Sequence, residues 1–335
     1  MDSLTHLALG SAIGIVVMRG RTAPWKAALV GAACNTLPDL DIFMNHGDAV
    51  SNVTMHRGDS HALFWLTLIS PAVALVAASL FRDLAQYRRW WLMVWLALIA
   101  HPLLDAFTVY GTQIARPFTD RPFGIGSIFI IDPLYTLPLI IGVIVALSLR
   151  NTKGWRWAAG GLFFSTLYLA VGVLIQSHVT RLAQDALHAQ GVNADHLLVT
   201  PTAFNSVLWR IVAVTPDRYL EGFHSILDRD RNIAFDSHPR GTQLYDAMRD
   251  NLSVARVVWW THGLFKVAER NGRIVVTDLR MGQEPYYSFN FVVGQRQSPS
   301  IVAVTPTAFR EQHGLREGVS WLWRRMLGEK LAPPR

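Results

Sequence analysis

His101 and Asp105 stand four residues apart in AHPLLDAF, within a stretch that is otherwise apolar. On a helix such a pair projects from one face, where imidazole and carboxylate can grip one ion or share one proton. An ionisable group at membrane depth costs roughly 2.5–3.5 kcal/mol even on the lenient insertion scale. Asp132, in FIIDPLY, carries the same cost. HRGDSH, residues 56–61, adds His56, Arg57, Asp59 and His61 at the mouth of another apolar run. One lysine or tryptophan would suffice to anchor that end. LPDLD contributes Asp39 and Asp41, and His6 opens the first apolar segment. Imidazole and carboxylate together suit a borderline divalent cation, zinc or else manganese. The set exceeds the needs of one tetrahedral ion, which points to two ions, or to one ion with a catalytic acid/base.

Each residue has a plainer use when taken alone. His6 fits an interfacial side chain, Asp39 a turn residue after Pro38, and His56 a solvated loop. The prolines tilt the balance: Pro38 precedes Asp39, Pro102 follows His101 and Pro133 follows Asp132. A proline removes a backbone donor and frees a carbonyl, and irregular backbone at membrane depth is tolerated where it lines a polar cavity.

The elements that must carry these residues are apolar runs. Runs of about 18–25 residues mark membrane spans, and four stand out at 61–81, 90–110, 128–149 and 157–176. Two shorter segments, 4–18 and 27–44, read as further helices. The expectation is an α-helical polytopic membrane domain of about six helices over residues 1–176, then a small α+β extramembrane domain over 177–335. The loops 19–26, 82–89 and 150–156 each hold three Lys/Arg, whereas 45–60 and 111–127 are sparser for their length. The positive-inside rule makes the first set cytoplasmic. The embedded His and Asp residues and the region after 176 then face outward. MDSLTH places an acid before the first apolar run, the reverse of a cleavable signal peptide.

The charge balance, 31 basic against 24 acidic residues, invites nucleic acid as a partner. No Lys/Arg cluster with interleaved aromatics accompanies it, so none is expected. The single cysteine, Cys34, excludes an intrachain disulfide and a Cys-based zinc site. Beyond residue 176, HLLVT, SVLWRIVAVT, RYLEGFHSIL and YYSFNFVV read as strands, and Asn271-Gly272 as a hairpin turn. A closing helix is expected over about 307–327. The seven histidines of this part, His313 among them, show no ligand spacing; His178, just past the last span, is the one placed to reach the pocket.

MDSLTH, LPDLD, HRGDSH, HPLLD and FIIDPLYTLPL, in this order, resemble the YdjM-like family of bacterial inner-membrane metal-dependent hydrolases. The resemblance covers residues 1 to about 176, with PTAFNSVLWR at 201–210 similar to the tail of long members. It implies metal dependence, through a more distant likeness to zinc-dependent phospholipase C. On that likeness His6, Asp39, His56, His61, His101 and Asp105 would be ligands. Asp41, Asp59 and Asp132 would be ligands, partners of ligands or the acid/base, with Asp59 standing where a small hydroxyl residue is expected. Two ions would clamp a phosphoester during in-line displacement. Arg57, with Arg116 or Arg121, would hold the other phosphate oxygens. A site opening at the outer leaflet implies a lipid or lipid-linked substrate as partner, beside the bilayer itself. Two other classes remain open: an ion- or proton-coupled transporter, and a membrane protein that holds metal for structure.

Overall fold

The computed structural model describes residues 1–149, 153–298, 300–311 and 315–335, the side chain of Leu315 excepted. Arg150 and His313 therefore lie outside the described residues. The chain divides into two units, Met1–Phe43 with His56–Val173, and Met44–Met55 with Leu174–Arg335.

The first unit is helical. It contains α1 (Ser3–Met18) and α2 (Pro24–Thr36), then a 3₁₀ segment over Leu37–Phe43. Asp2 caps α1 by accepting from Thr5 N, and Pro24 supplies the favoured first-turn proline of α2. The short helix α3 (Ala49–Met55) belongs to the second unit. A 3₁₀ turn at Asp59–His61 leads into α4 (Leu63–Leu80), followed by α5 (Tyr87–Asp105). A non-helical stretch follows, pinned by a Thr112–Phe123 bridge and by Ile125 N donating to Ala106 O. Then come α6 (Pro133–Ser148) and α7 (Trp155–Ala189), which continues into the second unit.

The expectation of about six spans is corrected here. Among the described residues, two helices, α4 and α7, are long and apolar enough to cross a membrane. Only 28% of the apolar window of α4 and 22% of that of α7 is buried within the chain, so both present apolar surface outward. The other runs fail for local reasons. α1 and α2 have 16 and 13 residues, against the roughly 20 that a bilayer needs. α5 carries Arg88, Arg89, His101 and Asp105. The expected span at 128–149 begins only at Pro133, because Asp132 caps α6 and leaves it 16 residues.

Packing in this unit fixes the polar residues. α5 buries Trp90, Met93, Val94, Ala97 and Leu98, a 3–4 spaced stripe that continues directly into His101 and Asp105. The same face thus changes from hydrocarbon to ligand chemistry within two turns. α1 and α2 approach through glycines. A Cβ at Gly10 would lie 2.1 Å from Gly31 O and 2.5 Å from Asn35 Cβ, a distance no side chain tolerates. Gly10 therefore sets how closely His6 on α1 and Asn35 on α2 can meet.

The second unit is rich in antiparallel sheet. One meander orders β1 (His196–Pro201), β2 (Leu208–Val214), β3 (Arg218–Ser225) and β4 (Phe235–Pro239) in sequence. The helices α8 (Thr242–Met248) and α9 (Leu252–Trp260) follow. Next come β5 (Phe265–Arg270), β6 (Arg273–Asp278), the short pair β7 (Gly282–Gln283) and β8 (Tyr286–Tyr287), β9 (Asn290–Gln297) and β10 (Ser300–Phe309). The second sheet runs β10-β9-β6-β5. Asn271 and Gly272 join β5 to β6 with positive φ at both, the backbone a two-residue hairpin demands. The closing helix α10 spans Leu315–Met326; the chain before it, to Phe309, is strand and not helix.

Candidate metal centre

Four side chains of the first unit converge: Asp39 from the 3₁₀ segment, His61 from the turn before α4, and His101 and Asp105 from the end of α5. His61, His101 and Asp105 are fully buried, and the Asp39 side chain is 26% exposed. Asp39 Oδ1 lies 3.4 Å from His61 Nε2 and 3.3 Å from His101 Nε2. Asp105 Oδ2 lies 3.6 Å from His61 Nε2 and 3.5 Å from His101 Nε2, and the two Nε2 atoms are 3.0 Å apart. Zinc bonds of about 2.0–2.2 Å place tetrahedral ligand atoms roughly 3.3–3.6 Å from one another. The four imidazole–carboxylate distances match that figure, the two Nε2 atoms stand closer, and all the donor atoms lie within 4.8 Å of one another.

The backs of the rings decide what the fronts can do. His101 Nδ1 faces Asn35 O, a carbonyl that only accepts, so Nδ1 carries the proton. Ser60 donates its hydroxyl hydrogen to Asp41 Oδ2 at 2.5 Å, so its oxygen is left to accept from His61 Nδ1 at 2.8 Å. Both rings therefore donate from Nδ1. Their Nε2 atoms, at 3.0 Å, cannot both hold a proton as well. A cation between them resolves the clash of lone pairs and satisfies the two carboxylates together.

His6 repeats this logic beside the four. Asn35 Nδ2 donates to Ala97 O, which fixes the amide, so Asn35 Oδ1 accepts from His6 Nδ1 at 3.1 Å. The His6 ring stacks on His101 with centroids 3.8 Å apart, and its Nε2 lies 3.3 Å from Asp105 Oδ1. His6 Nε2 and Asp105 Oδ2 are buried without a well-aligned hydrogen bond, an arrangement that leaves both atoms available to a bound water or ion. Asp105 also pairs with the Met1 amino group, and Arg57 Nε lies 3.1 Å from its Oδ2.

Besides His6, two other residues singled out as ligands in the sequence, Asp41 and His56, are not in the four-donor group. They face each other, His56 Nδ1 to Asp41 Oδ1 at 2.6 Å, and Asp41 Oδ2 also accepts from Arg57 N at 3.1 Å. Burial alone would raise both aspartate carboxyls of LPDLD. The imidazoles facing them outweigh it and hold both below the usual carboxylate range, His101 and His61 at Asp39, His56 with Ser60 at Asp41.

Of the residues read as catalytic, Arg57 is buried, with a left-handed backbone at φ 65°. That conformation costs about 1–3 kcal/mol for a non-glycine residue. It turns the guanidinium inward, over the Tyr110 ring at 4.6 Å and onto Thr108 Oγ1 at 3.2 Å. Asp59 points to the surface and pairs with Arg116 at 2.7 Å. Asp132 stands apart: it caps α6 through Leu134 N and accepts from Tyr168 OH at 2.9 Å. Its depth is explained by those partners and needs no ion. Asn35 and Ser60, which hold three of the rings, went unread in the sequence. A lone amide within GAACNTLPD was the one available signal for Asn35.

Comparison with known proteins agrees with the motifs. The model of the YdjM inner membrane protein family matches residues 1–179. The chain is 26% identical over 322 residues to YfhP of Bacillus subtilis (strain 168), covering 88% of this chain and 90% of that protein. It is 28% identical over 173 residues to the inner membrane protein YbcI of Escherichia coli (strain K12), covering 49% of this chain and 95% of that one. No solved structure matches, and these comparisons give no support to the distant likeness to phospholipase C.

Proposed function

Because the chain belongs to the YdjM inner membrane protein family, we propose that its His/Asp centre serves a metal-dependent hydrolase that cleaves a phosphoester of a lipid or lipid-linked substrate. One observation carries this reading: two imidazoles with their Nδ1 protons committed turn Nε2 atoms 3.0 Å apart toward two carboxylate oxygens. Asp39, His61, His101 and Asp105 would hold the ion, and zinc suits that donor set best. Bound there, a divalent cation supplies Lewis acidity toward a phosphoryl oxygen and activates water.

The remaining residues divide the work. Ser60 and the Asn35 carbonyl keep His61 and His101 in the Nδ1-protonated form. Arg57 sets a fixed positive charge against Asp105 and so limits the negative charge of the centre. It is too buried to act as the phosphate clamp; Arg116, at the surface beside Asp59, would take that task. His56, 19% exposed and oriented by Asp41, is the imidazole free to exchange a proton with substrate. Its ring centroid is 5.8 Å from that of His61.

The end of α4 that carries this loop faces the periplasm in this reading, since Arg82, Arg88 and Arg89 follow the other end. The test is hydrolysis of phospholipids and of a chromogenic phosphodiester by purified protein, with zinc or manganese and after chelation. Metal-dependent turnover lost in His101→Ala supports the proposal. Stoichiometric metal with no turnover on any phosphoester favours a structural metal, and ion flux in proteoliposomes favours a transporter.

A further inference from the structure

A groove of about 520 Å³ opens between the first two turns of α4 and the segment 114–118. Its walls are Leu63, Phe64 and Leu68 on one side and Ile114 and Phe118 on the other, with Arg116 as its one charged residue. Leu63 N donates to Ile114 O at 3.0 Å, and Phe64 meets Phe118 edge to face at 5.5 Å, so the two walls are tied at their base. Yet Leu68 is 61% exposed and Phe118 80% exposed. Apolar side chains this open in water would be an aggregation liability.

α4 is one of the two helices apolar enough to cross the membrane, and most of its apolar window is not covered by this chain. The medium that covers α4 in an inner-membrane protein is lipid. The groove begins at Leu63, two residues after the ligand His61, and Asp59 of the same loop holds Arg116 beside it. We propose that this groove seats an acyl chain of an anionic phospholipid, with Arg116 at the phosphate, and that such a phospholipid is the substrate class of the metal centre. The chain rests on hydrocarbon, and the phosphate meets a guanidinium that Asp59 at Nε and Gln113 at Nη1 hold in place beside the groove. The substrate half of this inference rests on the hydrolase reading; the groove's lipid preference does not.

The test uses full-length protein in phosphatidylcholine nanodiscs, with Cys34→Ser and a fluorophore on Ile69→Cys, beside the groove. A second preparation carries the fluorophore on Val76→Cys, seven residues further along α4. Nitroxide-labelled phosphatidylglycerol and phosphatidylcholine are compared as quenchers at equal mole fraction. At Ile69→Cys, phosphatidylglycerol should quench roughly two- to fivefold better, the worth of one exposed ion pair. At Val76→Cys the two lipids should quench alike. Arg116→Leu should abolish the excess, and Thr67→Trp, which fills the groove, should lower quenching by both. Equal quenching at Ile69→Cys, or an excess that survives both variants, overturns the groove. Metal content is measured on the same samples: lipid preference without bound metal would sink the hydrolase reading and leave the groove standing. Bound metal without preference would do the reverse.

Discussion

Ser60→Ala removes one oxygen that would itself hold no metal yet orients a ring that would. The hydroxyl donates to Asp41 Oδ2 at 2.5 Å and accepts from His61 Nδ1 at 2.8 Å. Without it the fully buried His61 ring has one fallback acceptor, Asp41 Oδ2, which now lies 3.6 Å away. That contact is too long for a hydrogen bond, so either Asp41 moves or the ring loses its fixed tautomer. Loss of an outer hydrogen-bond partner of a metal-bound histidine weakens binding by about 10–100-fold. This corresponds to roughly 1.4–2.7 kcal/mol. The unsatisfied ring proton also costs about 1–3 kcal/mol of stability. Metal affinity is read by competition with a chelator of known strength, and stability by thermal unfolding of the metal-free protein. Ser60→Thr keeps the hydroxyl and should recover most of the affinity. The reasoning fails if Ser60→Ala lowers stability but leaves metal affinity unchanged, because the hydroxyl would then be packing alone.

Gly10→Leu should lower stability by about 1–3 kcal/mol or more and reduce metal content with it, because the new side chain starts 2.1 Å from Gly31 O and presses on Asn35; unfolding and metal analysis check both. Asp132→Asn should leave metal affinity within about twofold, since Asp132 caps α6 outside the donor group; a tenfold loss would return it to the site. In the second unit, Arg325 forks onto Asp228 with both bonds at 2.7 Å and, against the upward pull of burial, holds its carboxyl below the usual range. A depressed carboxyl stabilises above its unfolded pKa, about 3.9, and that contribution is lost as pH falls through the lower folded value. Asp228→Asn should therefore flatten the acid limb of a stability-against-pH profile below about pH 4, where the wild type falls steeply.

How much of this was written in the sequence varies with local geometry. His101 and Asp105 were legible because helical spacing alone puts them on one face, and the structure has them on the buried stripe of α5. LPDLD was harder. In a 3₁₀ segment with three residues per turn, positions two apart point in different directions. Asp39 thus turns to the histidine pair while Asp41 turns to His56, and no pattern in LPDLD separates them. HRGDSH has no helical period from which to read directions, so Arg57 and Asp59 gave no sign that one is buried and the other exposed.

The span count failed for a related reason. Hydropathy counts apolar residues wherever they stand, but α5 ends at Asp105 and the next helix starts at Pro133. The apolar residues between them lie in a folded, non-helical stretch. Close packing of α1 on α2 likewise gives two helices of 16 and 13 residues a role without a membrane crossing. By contrast the Asn271-Gly272 hairpin was fully legible, since few residues other than these adopt two successive positive φ angles.

The central claim is that Asp39, His61, His101 and Asp105 hold one divalent ion. The most direct measurement is elemental analysis joined to X-ray absorption on the purified full-length protein. The account predicts about one zinc per chain in this centre, with a first shell of nitrogen and oxygen at roughly 2.0–2.2 Å and imidazole scattering behind it. It predicts that His101→Ala and Asp39→Ala each remove that shell while the protein stays folded. A wild-type protein without stoichiometric metal, or an unchanged absorption spectrum in both variants, would contradict it.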